Sequence, residues 1–380
     1  MRIAIVTESF PPDVNGVAHS VVRTAEHLLA RGHEPLVIAP APAGGRRRAT
    51  DRQPYPVVRI PSVPLPHYQG FRLGVPTTRL AAALLGHRPD VVHLASPFIL
   101  GAAGASLAAR HGLPAVAVYQ TDVASYARAY RVGWGEAAAW RRIRGIHNSA
   151  QRTLAPSTRA AADLIANGVQ RIWLWRRGVD AERFHPSRRS EELRRALAPG
   201  GEVLVGYVGR LAPEKRVDLL AATAGLPGVR VVVAGDGPAR PQLERTLPGV
   251  RFLGVQHGEA LARLYASLDV FVHTGPHETF GQTLQEAAAS GVPVVAPASG
   301  GPVDLVQSGV TGLLVPPDDG DAFAAAVTEL ATDPARRAGY GLAARVAVSR
   351  RSWSAVGDEL IGHYAAVRTG TPAPGLSAWG

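Results

Sequence analysis

Short runs of β-branched and apolar residues alternate with longer amphipathic segments along this chain, and the whole alternation occurs twice. In the first cycle RIAIVTE (2–8), EPLVIAP (34–40), VVRIP (57–61), DVVHLAS (90–96), PAVAVYQTD (114–122) and TLAPS (153–157) read as strands. Between the first two, VAHSVVRTAEHLLARGH (17–33) reads as a helix, with Val17, Val21, Thr24, Ala25, Leu28 and Leu29 on one face and Gly32 as its stop. The rhythm breaks in RRGVDAERFHPSRRS (176–190), where turn residues and charge accumulate. It restarts with VLVGYVGR (203–210), VRVVVAGDG (229–237), VRFLGVQ (250–256), LDVFVHTG (268–275), VPVVAPASG (292–300) and GLLVPPDD (312–319). Strands apolar on both faces and separated by helices make parallel sheets covered on both sides. The expectation is an α/β protein of two successive doubly wound units, with functional residues at the carboxyl ends of the strands.

Composition narrows the function. The 380 residues are 46% hydrophobic, enough for two sizeable cores. No run approaches the 18 or more apolar residues of a membrane span, and MRIAIVTESF reads as a buried strand rather than a signal peptide. With no cysteine, disulfides, thiolate metal sites and a cysteine nucleophile are excluded, and a cytoplasmic location is expected. Charge is uneven: residues 1–180 carry 22 basic against 10 acidic side chains, and residues 181–380 carry 19 against 20. A basic half recruits anions such as nucleic acid, an acidic membrane face or an anionic substrate. No zinc, basic-zipper or RNP-type pattern supports the first of these. The cluster GGRRRATDRQP (44–54) reads equally as a solvated loop. Lys215 is the only lysine among 41 basic residues.

Three motifs carry candidate chemistry. NGV (15–17) follows the first strand and opens a helix, so backbone amides from Gly16 onward would form an anion site. Neither first strand is followed by GxGxxG, which argues against a nicotinamide enzyme. In GRLAPEKRVD (209–218) Arg210 at a strand end and Lys215 five residues on can converge on one diphosphate, or can be two solvated cations. In GPHETFGQTLQEAAASG (275–291) Glu278 and Glu286 stand eight residues apart, about 80° around a helix, so they either decorate one helix face or form a site. GDGP (235–238) is a turn after a strand and weak by itself.

Taken in order, ESFPPDVNGV, RPDVVHLASP (88–97), RRGVDAERFHP (176–186), VGRLAPEKRVD (208–218), VVAGDGP (232–238), HETFGQTLQEAAASGVPVVAPASGG (277–301) and GLLVPPDD resemble the retaining GT-B glycosyltransferases of family 4. The stretches TESFPPDVNGVAHSVVRTAEHLLARGHE and VYQTDVASYA are most similar to actinobacterial GDP-mannose-dependent α-mannosyltransferases acting on glycolipids. The resemblance implies a GT-B architecture: an acceptor-binding unit (1–182), a donor-binding unit (183–352) and a C-terminal helix and tail (353–380) crossing back to the first unit. It implies a nucleotide-sugar co-substrate, with GDP-mannose ahead of a UDP-sugar, no cofactor and no metal. Glu278 would contact donor-sugar hydroxyls and Glu286 the ribose diol. Phe280, Gly281, Gln282, Thr283 and Leu284 would offer backbone amides to the phosphates, Arg210 and Lys215 would stabilise the leaving diphosphate, and Gly16 would approach the donor.

One departure stands out. Where many relatives carry a histidine beside the reacting sugar, this chain has Gln120, with Asp122 two residues on; both are sugar-contact candidates, and Gln120 reads equally as a structural hydrogen bonder. His93 and His147 read as packing residues, and no spacing suggests a metal site. Arg128, Arg131, Arg141, Arg142 and Arg144 flank VGWGEAAAW, whose Trp134 and Trp140 either pack or dip into an anionic membrane at the inner face of the cell membrane. Two further classes share the architecture, a sugar-nucleotide epimerase and a catalytically silent sugar-nucleotide binder. The first would bring acid/base residues into the cleft. The second would have lost one of Arg210, Lys215, Glu278 or Glu286, and all four are present.

Overall fold

A computed structural model describes residues 1–13, 15–43, 53–64, 72–120 and 135–370. The chain divides into two compact units, Met1–Arg177 with Trp353–Gly380, and Gly178–Ser352. In the first, seven parallel strands form one sheet: β1 (Arg2–Val6), β2 (Glu34–Pro40), β3 (Val57–Ile60), β6 (Val91–Leu94), β7 (Ala115–Val118), β8 (Arg152–Ala155) and β9 (Ile172–Leu174). Their order is β3-β2-β1-β6-β7-β8-β9. A short antiparallel pair, β4 (Ser62–Pro64) with β5 (Arg72–Gly74), lies apart from it. In the second unit β10 (Val203–Val208), β11 (Val229–Ala234), β12 (Arg251–Gly254), β13 (Val270–Val272), β14 (Val294–Pro297) and β15 (Gly312–Val315) are parallel in the order β12-β11-β10-β13-β14-β15. Both sheets therefore reverse their direction of growth once, between β1 and β6 and between β10 and β13. Ligands bind doubly wound sheets outside the carboxyl ends of the strands at such a reversal.

The period-2 geometry of a strand explains why both faces are apolar. Ile3 and Ile5 pack on one side of the first sheet with Val21, Leu28 and Val37, while Ala4 and Val6 pack on the other with Leu36, Leu94 and Leu107. In the second unit Leu204 and Phe271 face one core, and Val205, Val231 and Val272 face the other. The helix Gly16–Ala30 buries Ala18, Ser20, Val21, Thr24, Ala25 and Leu28. Leu29 was expected on that face but is 40% exposed, because each helical residue turns by 100° and Leu28 already occupies the inward direction. The helix Trp353–Thr369 belongs to the first unit: Leu360, Tyr364 and Val367 join the core of Ile3 and Ile5, and Tyr364 Oη lies 2.5 Å from Nδ1 of buried His93. Burial pushes His93 down to about 3 and His147 down to about 4, so both are neutral packing residues. Among the described residues no helix is long and apolar enough to cross a membrane.

Candidate functional site

At the reversal point of the second sheet the chain leaves β10 through Gly209 and Arg210, makes a single 3-10 turn over Pro213–Lys215, and passes Arg216 in the left-handed region (φ 47°). From β13 it leaves through His273 and Thr274, and the Thr274 hydroxyl donates to the Lys215 carbonyl at 2.6 Å, tying the two loops together. Lys215 thereby meets Glu278: its Nζ donates to Glu278 Oε2 at 2.8 Å, with both side chains about 20% exposed. Burial would raise the Glu278 carboxyl, but the Lys215 charge and hydrogen bond, with His273, outweigh it and hold it at about 2. Glu278 is thus ionised and acceptor-only. One oxygen is taken by the lysine, and the other has only a long approach of 3.5 Å from the Phe280 amide.

The backbone of this loop is pinned from behind. The Gly301 amide donates to the Glu278 carbonyl at 2.7 Å, and a Cβ on Gly300 would stand 2.4 Å from the same oxygen, so the loop after β14 fits only as glycine. Gly281, at φ 101°, then turns the chain into the helix Gln282–Ala289. Glu278 therefore lies before the helix and Glu286 on it, which excludes a shared solvated helix face. The helix cap carries no side-chain acceptor and its first turn no acidic residue, which leaves its positive end open toward the loop. Of the expected amide donors, Leu284 is committed to Gly281 O at 3.0 Å, and the Phe280 and Leu284 side chains are core. Gln282 Nε2 donates to Gly178 O at 3.1 Å, and Thr283 is half-buried in the same turn. Burial pushes Glu286 up to about 7, partly offset by the Tyr265 hydroxyl, Arg183 and Gln282.

Two residues at this reversal point went unremarked in the sequence. The Glu214 side chain is 7% exposed, lies 3.5 Å from Arg210 Nη1, and has no hydrogen bond to either carboxylate oxygen. His273 is 3% exposed, 4.0 Å from Glu278 Oε2, and burial pushes it down to about 4, so it stays neutral beside the ion pair. Each stood beside a stronger signal, Glu214 next to the lone lysine and His273 at the end of a strand, and a glutamate in a charged loop reads as solvated. Among the described residues no group of three or more His, Asp or Glu is placed to hold a metal ion.

Gly16 and Gln120 belong to the first unit, at the carboxyl ends of its strands; Asp122 lies outside the described residues. Arg128, Arg131, Trp134 and most of the 44–54 cluster lie outside them as well. Trp140 stacks on buried Tyr119 at 6.4 Å with 15° between the rings, so it packs against the domain. Arg141, Arg142 and Arg144 are exposed on the helix Gly135–Ser149.

The sequence matches the model of Glycosyltransferase Family 4 over residues 14–183 and that of Glycosyl transferases group 1 over residues 202–333. It is 51% identical to a GDP-mannose-dependent alpha-mannosyltransferase of Mycobacterium tuberculosis, over 97% of each chain. It is 52% identical to a protein of the same description from Mycolicibacterium smegmatis, over 97% of this chain and 98% of that one. The fold superposes on sucrose-phosphate synthase from Thermosynechococcus elongatus with a TM-score of 0.81 at 22% identity, covering 97% of this chain and all of that one. The chain therefore belongs to glycosyltransferase family 4 and is a glycosyltransferase of GT-B fold.

Proposed function

We propose that the enzyme transfers α-mannose from GDP-mannose to a hydroxyl of a glycolipid or glycan, with retention of configuration and without a metal. The donor assignment is supported by the two mycobacterial relatives, at 51% and 52% identity over nearly the full chain. The observation that carries the site assignment is the Lys215–Glu278 pair at the second sheet's reversal point.

In this reading the two members of the pair have different tasks. Lys215 is held in place by its bond to Glu278 and brings its ammonium charge to the diphosphate oxygens. Arg210 enters the same site from the end of β10 and exchanges its 3.5 Å contact with Glu214 for a phosphate. The positive end of the helix Gln282–Ala289, reached through Phe280, Gly281, Gln282 and Thr283, adds its field to both. Together they stabilise the charge that grows on the diphosphate as the anomeric C–O bond breaks. The second oxygen of Glu278 accepts from a sugar hydroxyl, and Glu286 accepts from the ribose diol. The acceptor hydroxyl attacks from the leaving-group face and its proton passes to the departing phosphate, so no second catalytic carboxylate is required.

The test is a panel of GDP- and UDP-sugars assayed for hydrolysis and for transfer to a membrane lipid extract, with and without a chelator. GDP-mannose turnover that survives the chelator is expected. Turnover of UDP-sugars alone would overturn the donor, and activity lost to the chelator and restored by Mg²⁺ or Mn²⁺ would overturn the leaving-group account.

A further inference from the structure

Gln120 follows β7, is 6% exposed, and has both ends of its amide engaged. Its Nε2 donates to the Ala95 carbonyl at 3.4 Å, and its Oε1 accepts from Arg177 Nη2 at 3.0 Å. This orientation is chemically forced, since a guanidinium only donates and a carbonyl only accepts. Arg177 follows β9 and is 7% exposed, an unusual depth for a charged side chain. Its other side lies against Gly16: a Cβ there would stand 2.6 Å from Arg177 Nη1, so glycine is what admits the guanidinium. Ala95 follows β6 and Gly16 follows β1, the two strands between which the first sheet reverses, where a doubly wound sheet takes its ligand.

Gly16 was expected to present helix amides to an anion. The Asn15 side chain already accepts from the Val17 and Ala18 amides at 3.1 and 3.0 Å, so these are spent. The strong positive group beside Gly16 is instead the guanidinium, and its position at the positive end of the helix Gly16–Ala30 raises the local potential further. We infer that Arg177 binds a phosphate oxygen of a substrate at the first unit, and that Gln120 is its positioning residue. This rests on the glycosyltransferase reading above and adds a residue that the family resemblance did not supply. The phosphate belongs either to the nucleotide sugar or to an acceptor that carries one, and separate KM values for the two distinguish the sources.

Arg177→Met is expected to lower kcat/KM by about 10²-fold through the substrate whose phosphate it holds, as truncation of a buried charged partner does. Gln120→Glu separates charge from scaffold. It still holds the guanidinium, more tightly than glutamine does, gives up the long 3.4 Å bond to the Ala95 carbonyl and cancels the charge, so it should lose activity nearly as far as Arg177→Met while its Tm stays within a few degrees of wild type. Arg177→Ala should recover part of its rate when millimolar guanidinium is added, which a purely structural arginine would not allow. The inference is overturned if Gln120→Glu keeps wild-type kcat/KM for both substrates, or if Arg177→Met loses activity only in proportion to its folded fraction. If wild type turns over no nucleotide sugar, the proposed function fails and Arg177 is read by binding. Inorganic diphosphate should then raise the Tm of wild type more than that of Arg177→Met, and equal shifts would overturn the inference independently.

Discussion

Lys215→Met removes the ammonium 2.8 Å from Glu278 Oε2 and replaces it with an apolar chain of similar reach. The two glutamates of the site supply the magnitude. Glu286, whose burial dominates, lies at about 7, whereas Glu278 beside the lysine lies at about 2, against an ordinary value of 4.5 for both. Freed of the lysine, Glu278 should follow Glu286 upward. In wild type the folded value is depressed, so the stability this group contributes is present above 4.5, lost only as pH falls toward 2, and flat between pH 5.5 and 8. In the variant the folded value is raised, so its contribution is full below 4.5 and is lost as pH climbs toward 7. At about 1.4 kcal/mol per pKa unit, the variant should lose about 2 kcal/mol more than wild type between pH 5.5 and 8. For a unit of this size the Tm gap between the proteins should widen by about 4–8 °C over that range. Calorimetry is the appropriate assay: all six tryptophans, at 134, 140, 173, 175, 353 and 379, fall in the first unit, so their fluorescence follows the wrong one. Glu286 titrates in both proteins and cancels in the difference. A gap of equal size at pH 5.5 and 8 would refute the electrostatic account of the pair, and the pH dependence should vanish in Lys215→Met/Glu278→Gln.

Arg210→Ala should lower kcat/KM for the donor by about 10²–10³-fold, and kinetics within threefold of wild type would remove it from the diphosphate site. Because Glu286 is held at about 7 by burial, its protonated form gains below that pH and has fewer acceptor sites for a diol. GDP affinity measured by titration calorimetry should therefore weaken from pH 8 to pH 6, and Glu286→Gln should flatten that profile at a lower affinity. Replacing Arg141, Arg142 and Arg144 together with Gln should reduce binding to vesicles of acidic lipid at low salt and slow lipid mannosylation, while leaving donor hydrolysis unchanged. Wild-type mannosylation of lipid by that variant would point to a soluble acceptor.

The two-sheet architecture was legible because parallel strands buried on both faces must be continuously apolar, and runs such as VLVGYV and VRVVVA have few other uses. What escaped was short or held by distant partners. β9 is three residues, Ile172–Leu174, and its two tryptophan-flanked positions do not look like a β-branched run; β4 and β5 are three residues each. In the candidate site, the Glu278–Glu286 spacing marked a segment at the second sheet's reversal point without its geometry, since only the φ 101° of Gly281 separates loop from helix. Arg177 was hidden in RRGVD, a stretch that composition marks as a turn; its depth depends on Gln120, 57 residues earlier. Pairings across that distance follow from the strand order, which no local pattern contains.

The place of the helix Trp353–Thr369 bears on how the molecule is made. Translation delivers the strands of the first unit first, yet Leu360, Tyr364 and Val367, which complete the core around Ile3 and Ile5, leave the ribosome after every strand of both sheets. The second unit meets no such delay: all of its strands are finished before residue 353, and its two ends are already joined where the Val179 amide donates to the Arg351 carbonyl at 2.8 Å. Folding during synthesis is thus expected to invert chain order, with the later unit closing first. The nascent first unit is then expected to wait with one apolar face of its sheet partly uncovered, a state open to aggregation.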